Sequence, residues 1–307
     1  MKNTAMLLIG FGGPESEAGV RPFLDSVLEG IKISEKRYQE VLHHYEIIGW
    51  HSPYNSEVLK QKEALERHFA SDGLNLPVFA GFRHVKPSFQ DVFERIKANG
   101  IQKVVGFVLS PLRSYASFEK YQERVDRGKE AAGASGIEVA YTEAFYAHPL
   151  FIFAQASRIR ETASKFPTGD KTFFLFSAHS IPEEMSRRSD YAGQFREICR
   201  LAAAAAGVEH WDLAYQSRSG NPRDPWLAPD VKDRIPEIAA KGFKNLVLVP
   251  AGFLCENVEI MYDLDVEAKQ CASENGLCYF RTAAVWDHPD FMRMTAELVA
   301  QKMNVFA

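Results

Sequence analysis

Four cysteines in 307 residues, none of them in a C-x-x-C pair, leave little from which to build a metal or iron–sulfur centre. Such centres draw on closely spaced ligand pairs. Cys199, Cys255, Cys271 and Cys278 are scattered instead, and buried free thiols are the expectation. No run approaches the ~20 apolar residues that a bilayer-spanning helix needs. The opening run Met6–Phe11 is too short for a secretory leader, so the expected location is cytoplasmic. An excess of basic charge is missing too. With 36 Lys and Arg against 40 Asp and Glu the net charge is −4, which removes the electrostatic footprint of a nucleic-acid binder. The turn after the first apolar run, Gly12-Gly13-Pro14, is not part of a G-x-G-x-x-G fingerprint, so dinucleotide binding has little support. There is no internal repeat, and no low-complexity segment beyond Ala202–Ala206.

A chain of this length exceeds the usual single core and is expected to divide in two. Strand-like runs lie near Met6–Gly10, Pro77–Phe82, Lys103–Leu109 and Glu138–Phe145, and again near Thr172–Phe176, Trp211–Gln216, Asn245–Pro250 and Gly276–Arg281. Between them the periodicity predicts helices at Val20–Leu28, Glu57–Ala70, Ser88–Ala98, Ser117–Ala132, Pro149–Lys165, Ala192–Ala206, Val231–Lys241 and Asn257–Ala272. Alternation of this kind marks an α/β protein with parallel sheets. The fold expected is two doubly wound, Rossmann-like lobes facing a central cleft: residues 1–165, then 166–288. The polar stretch Lys165–Asp170 is the connector, and a last helix near Pro289–Lys302 within 289–307 is expected to cross back onto the first lobe.

In parallel sheets ligands bind at the carboxyl ends of the strands, and that is where the reactive residues of this chain collect. The first run leads into Gly12-Gly13-Pro14 and the second into Arg83-His84. The third leads into Ser110 through Tyr115, and the sixth into Gln216-Ser217-Arg218. The fifth, Phe173-Phe174-Leu175-Phe176, runs into a small-residue turn, Ser177-Ala178-His179-Ser180-Ile181-Pro182. A histidine there can exchange protons or hold a metal near neutral pH; equally, it can hydrogen-bond a neighbouring loop. The seventh run leads to Glu259, which opens a helix carrying Asp263 and Glu267 near the same face. These acids can relay protons or metal ions, or they can complement the helix dipole and face solvent.

Three segments carry a family resemblance. Ser177–Pro182 is similar to the S-A-H-[SG]-[LI]-P motif of ferrochelatases, the enzymes that insert ferrous iron into a porphyrin. Gly252-Phe253 through Glu259 and on to Glu267 resembles a second signature of that family. Tyr215-Gln216-Ser217 with Asp224–Asp230 resembles a third. Gly12–Ser16, Ile48-Gly49 and Ser52-Pro53 also fit, so the likeness spans nearly the whole chain in order. The resemblance implies a porphyrin metal chelatase with porphyrin and Fe2+ as substrates and no tightly bound cofactor. It implies His179 and Glu259 as catalytic and metal-binding residues, His84 on the metal path, and Asp263 and Glu267 as an acidic relay. It places Phe11, Trp50, Ser52, Tyr115, Ser217 and Trp226 against the porphyrin.

The sequence also departs from the family pattern. Asn257 stands where histidine is usual, and Glu256 where aspartate is common. Phe11 replaces a frequent tyrosine, Trp50-His51 replaces a smaller pair, and Leu28-Glu29 occupies positions where some members have arginines. Two alternatives therefore stay open: a chelatase for another metal or tetrapyrrole, and a non-catalytic tetrapyrrole-binding protein. The apolar pairs Phe23-Leu24 and Val27-Leu28 read either as core or as a weak membrane contact, and haem-pathway proteins are candidate partners.

Overall fold

All eight expected runs form strands in the computed structural model, which describes residues 3–31, 33–167, 171–219 and 224–306. The strands are β1 Thr4–Gly10, β2 Val78–Phe82, β3 Lys103–Val108, β4 Glu138–Tyr141, β5 Thr172–His179, β6 Trp211–Gln216, β7 Asn245–Val249 and β8 Cys278–Arg281. The α-helices are α1 Glu17–Val27, α2 Glu35–Ile47, α3 Tyr54–Ser71, α4 Phe89–Ala98, α5 Lys120–Ala131, α6 Pro149–Ala163, α7 Glu183–Ser189, α8 Tyr191–Ala206, α9 Val231–Ala240, α10 Lys269–Glu274 and α11 Pro289–Met303. Two further segments, Tyr115–Glu119 and Ile260–Ala268, are wound as π-helix.

The strands form two all-parallel sheets, ordered β2-β1-β3-β4 and β6-β5-β7-β8. Each sheet starts in its interior, adds its second strand on one side and its third on the other. The order reverses at the carboxyl ends of β1 and β5, where doubly wound sheets open a crevice. β1 and the Phe173–Phe176 part of β5 are apolar runs because a parallel strand is covered on both faces. In the first unit Leu7, Ile9 and Val104 pack under Val92, Phe93 and Ile96 of α4 and Val125 of α5. In the second, Leu175, Leu246 and Leu248 pack under Ile235 and Ile238 of α9 and under Ile260 and Leu264 of the π-helix. Each fully buried side chain of this size adds ~1.5–3 kcal/mol.

The boundary expected at residue 165 moves. The first unit comprises 1–109, 116–144 and 291–307, and the second 110–115 and 145–290. Helix α6 thus follows a strand of the first sheet but belongs to the second unit: Phe151, Ile152 and Ile159 are buried, and Arg160 Nη1 donates to Ala205 O in α8 (2.8 Å). In the other direction α11 joins the first unit from Phe291 onward, with the Phe291 ring 6.4 Å from that of Phe107.

Local expectations shift as well. The small-residue turn after Phe176 is strand through His179, because Ser177, Ala178 and His179 stay in register with Ala214, Tyr215 and Gln216. The fourth strand stops at Tyr141 rather than Phe145. Helix α2 escaped the sequence reading because it is polar nearly all round, with only Leu42 and Tyr45 buried. The last three residues of the Lys165–Asp170 connector lie outside the described residues. Phe23 and Leu24, each 5 % exposed, are core. Among the described residues no helix is long and apolar enough to cross a membrane. The four cysteines are free, Cys199 and Cys255 buried, Cys271 partly so and Cys278 exposed.

Candidate active site

The end of β5 and the start of the π-helix bring His179 and Glu259 together, with Nε2 and Oε1 3.3 Å apart. Both remain reachable, at 29 % and 36 % side-chain exposure. His179 Nδ1 donates to Ser180 O (2.5 Å), and the Tyr191 hydroxyl donates to His179 O (2.9 Å). The backbone contact fixes the ring so that Nε2, not Nδ1, meets the carboxylate. Burial disfavours an imidazolium here. The charge and hydrogen bond of Glu259, the Ser180 carbonyl and the charge of Asp263 outweigh it and push His179 up to about 9. Near neutral pH this pair holds a proton on the histidine.

Glu259 is set in place by its own flanks. Asn257 Oδ1 accepts from Glu259 N (2.9 Å) and from Ile260 N (3.1 Å), capping the helix start. Gln216 Nε2 donates to Glu259 O (3.0 Å). At Gly252 the chain passes so close to β5 that a Cβ would lie 2.5 Å from that of Ala178. The Gly252 N–H donates to Ser177 O (3.0 Å), tying the loop after β7 to the strand that carries His179.

The expected acidic file is present, but it is wound as π-helix rather than at the α pitch. Asp263 accepts a short hydrogen bond from Ser217 Oγ, whose residue sits at φ 60°, a left-handed conformation unusual outside glycine. Burial pushes the Asp263 carboxyl up to about 7, the charges of Glu259 and Glu267 add to this, and Ser217 and His179 offset it only in part. Glu267, farther along, pairs with Lys232 Nζ of α9 at 2.9 Å. Asp263 is therefore not a solvated surface acid: it can accept and release a proton near neutrality. Among the described residues no group of three or more His, Cys, Asp or Glu side chains is arranged to hold a metal ion. His179 and Glu259 offer two donors and an open remainder, which suits a metal in transit.

The other expected residues divide between the units. Ser217, Tyr115 and Trp226 belong to the second unit with His179 and Glu259, and Phe11, Trp50, Ser52 and His84 to the first. Tyr115 is 48 % exposed at the start of its π-helix. Trp226 pairs with Pro182, and its indole Nε1 is buried without a hydrogen-bond partner. His84 lies 4.6 Å from the Phe11 ring, centroid to centroid, and its Nδ1 is 3.0 Å from Ser26 Oγ. Burial, with Arg83 and Arg124 adding to it, pushes His84 down to about 4, and its Nε2 has no hydrogen-bond partner. It is a neutral imidazole with a ring nitrogen to offer. Ser52 is 2 % exposed and braces the turn: its N–H donates to Pro14 O (2.9 Å), and its hydroxyl fills the space a Cβ on Gly13 would need.

Comparison with known proteins bears on the same segments. A family model described as Ferrochelatase matches residues 3–303. The chain belongs to the ferrochelatase family. A ferrochelatase from Rhodopirellula baltica is 38 % identical over 302 residues, covering 98 % of this chain and 86 % of that protein. A coproporphyrin III ferrochelatase from Mycolicibacterium smegmatis is 35 % identical over 309 residues, covering 99 % and 91 %. SirB from Bacillus subtilis, solved with Fe3+, shares the fold at a TM-score of 0.62 and 14 % identity, covering 98 % of this chain and 95 % of that one. CbiX, the terminal enzyme for siroheme biosynthesis in denitrifying bacteria, does so at 0.53 and 13 %, covering 97 % and 98 %. The two-sheet α/β fold expected from the strand pattern is thus that of known chelatases.

Several side chains that contact these segments have no role readable from the sequence. Gln216 stands inside a quoted motif beside Ser217, and its register partner is His179; reading β5 as strand to its end would have found it. Tyr191, Tyr279 and Arg281 carry no local signal, since their contacts with His179 O, Leu264 O and Asp265 form only on folding.

Proposed function

We propose that this enzyme inserts ferrous iron into a porphyrin, giving haem or coprohaem, with His179 and Glu259 as the groups that meet the metal and the pyrrole protons. The observation that carries the reading is the His179–Glu259 pair at a parallel strand's carboxyl end. Insertion replaces two pyrrole N–H bonds with bonds to iron, so two protons must leave as Fe2+ enters. An imidazole and a carboxylate are both bases and both ligands for a divalent first-row metal. Glu259 accepts a proton directly. His179 becomes a ligand or base when its own proton leaves, so metal capture and proton release are coupled. Asp263, at about 7, is suited to receive protons from the pair and pass them on past Glu267.

Asn257 bears on the non-catalytic alternative. Its side chain caps the helix and leaves the His179–Glu259 pair intact, so this departure from the family pattern does not remove the machinery. The substrates are a porphyrin and Fe2+, no resident cofactor is required, and haem-pathway proteins in the cytoplasm are the natural recipients of the product. Coproporphyrin III is the porphyrin named for several relatives and is the first to assay. The test is anaerobic metal insertion with coproporphyrin III and protoporphyrin against Fe2+, Co2+, Ni2+ and Zn2+. Turnover that is highest with Fe2+ supports the proposal. Tight porphyrin binding with no insertion of any metal would overturn it.

A further inference from the structure

A π-helix nine residues long is unusual, because i→i+5 bonding is poor and such winding normally persists for one turn. Something must hold Ile260–Ala268 in this register. Its far side meets two side chains of β8. The Tyr279 hydroxyl donates to Leu264 O at 2.8 Å, and the same carbonyl accepts the i→i+5 bond from Lys269 N. Two residues along the strand, and so on the same face, Arg281 forms a fork with Asp265: Nε to Oδ1 at 2.7 Å and Nη2 to Oδ2 at 2.9 Å. Arg281 also spans to Glu256, just before the helix, with Nη1 3.1 Å from Oε1 and Nη2 3.0 Å from Oε2. One guanidinium therefore joins the loop before the helix to the helix middle. It is 15 % exposed, so these contacts are made largely out of water.

We infer that Tyr279 and Arg281 are positioning residues for iron insertion: they hold the π register and thereby the placement of Glu259, Asp263 and Glu267. Asp265 lies between Asp263 and Glu267 in sequence, so anchoring it from behind sets how far the chain turns between them. Rewinding to the tighter α pitch would swing Asp263, and Glu267 about twice as far, around the helix axis relative to Glu259. In the observed register Asp263 meets Ser217 and Glu267 meets Lys232. Lysine in place of Arg281 supplies a charge but not the fork, and so cannot bridge two carboxylates in the same way.

This inference rests on the metal-insertion reading above, and the experiment separates the two. Insertion of Fe2+ into coproporphyrin III is measured for the parent, Glu259→Gln, Arg281→Met, Arg281→Lys and Tyr279→Phe, with melting temperature and porphyrin affinity by fluorescence quenching alongside. The expected result is a kcat about tenfold or more lower for Arg281→Met and several-fold lower for Tyr279→Phe, as for other residues that orient ligands through a second contact. KM and affinity for the porphyrin stay within about twofold, and Arg281→Lys recovers part of kcat. If both Arg281→Met and Tyr279→Phe fold and keep kcat within about twofold of a parent that turns over, the inference fails while the functional reading stands. If KM alone changes, it fails as well. Where Arg281→Met does not fold, Tyr279→Phe, which lacks one hydroxyl, decides alone. A parent that inserts no metal sinks both.

Discussion

Asp263→Asn tests whether the acid in the middle of the π-helix is kept for function at a cost to stability. The carboxyl is pushed from an ordinary 3.8 up to about 7 by burial, with Glu259 and Glu267 adding to it. A raised folded value means the native protein holds this proton more tightly than the unfolded chain does. Below about pH 4 the acid is protonated in both states and costs little. Between there and about 7 the penalty grows, and above 7 it is complete. Each tenfold displacement of an acid equilibrium is worth ~1.4 kcal/mol, so the ceiling is about 4 kcal/mol. Water reaches a partly exposed side chain, and an amide replaces the Ser217 hydrogen bond imperfectly, so ~1–2 kcal/mol is the expected gain for Asn. Melting curves of parent and variant at about pH 5 and about pH 8 should show Asp263→Asn more stable by a few degrees at the higher pH and nearly level at the lower. Insertion of Fe2+ into coproporphyrin III should fall at the same time, by ~10-fold or more. A variant equally destabilised at both pH values, or a stability difference that does not change with pH, would refute the reasoning.

His179→Ala should fold and lose insertion by ~10²–10⁴-fold, and Glu259→Gln should do the same while porphyrin affinity, read by fluorescence quenching, persists; turnover within about twofold of the parent would contradict the assignment. Because His179 is raised to about 9, its stabilising pair with Glu259 is fully present below about pH 6.5 and lost as pH rises through 9. The cost of His179→Ala in a denaturant titration should shrink accordingly on going from about pH 6 to above pH 9. Asn257→Ala should lower stability by ~1 kcal/mol through the lost helix cap, whereas Asn257→Asp should hold it, both read by thermal melting. Gly252→Ala should cost ~1–3 kcal/mol and lower turnover, because its Cβ would press on Ala178; Ala178→Gly should relieve this only in part, since the Ala178 backbone lies 2.8 Å away.

What the sequence by itself determined is the set of things encoded at short range. The eight strands announce themselves as short runs rich in β-branched, aromatic and aliphatic residues, and regular alternation with amphipathic helices makes parallel sheets the natural arrangement. The reactive residues fall at strand ends because chain order already puts them there. His179, Glu259 and Asp263 were therefore legible, and the motifs around them named the family. What only the tertiary structure decided depends on contacts between residues far apart in the chain. Which unit α6 and α11 join is settled by the neighbours each buries its apolar face against, not by which strand comes before it. The winding of Ile260–Ala268 cannot be read from a pattern that suits α spacing as well, since its partners Tyr279 and Arg281 are 15 and 16 residues away from Leu264 and Asp265. The protonation of the site is decided late for the same reason. His84, His179 and Asp263 have ordinary values in an open chain; burial moves His84 down and Asp263 up, whereas Glu259, the Ser180 carbonyl and Asp263 move His179 up against its burial.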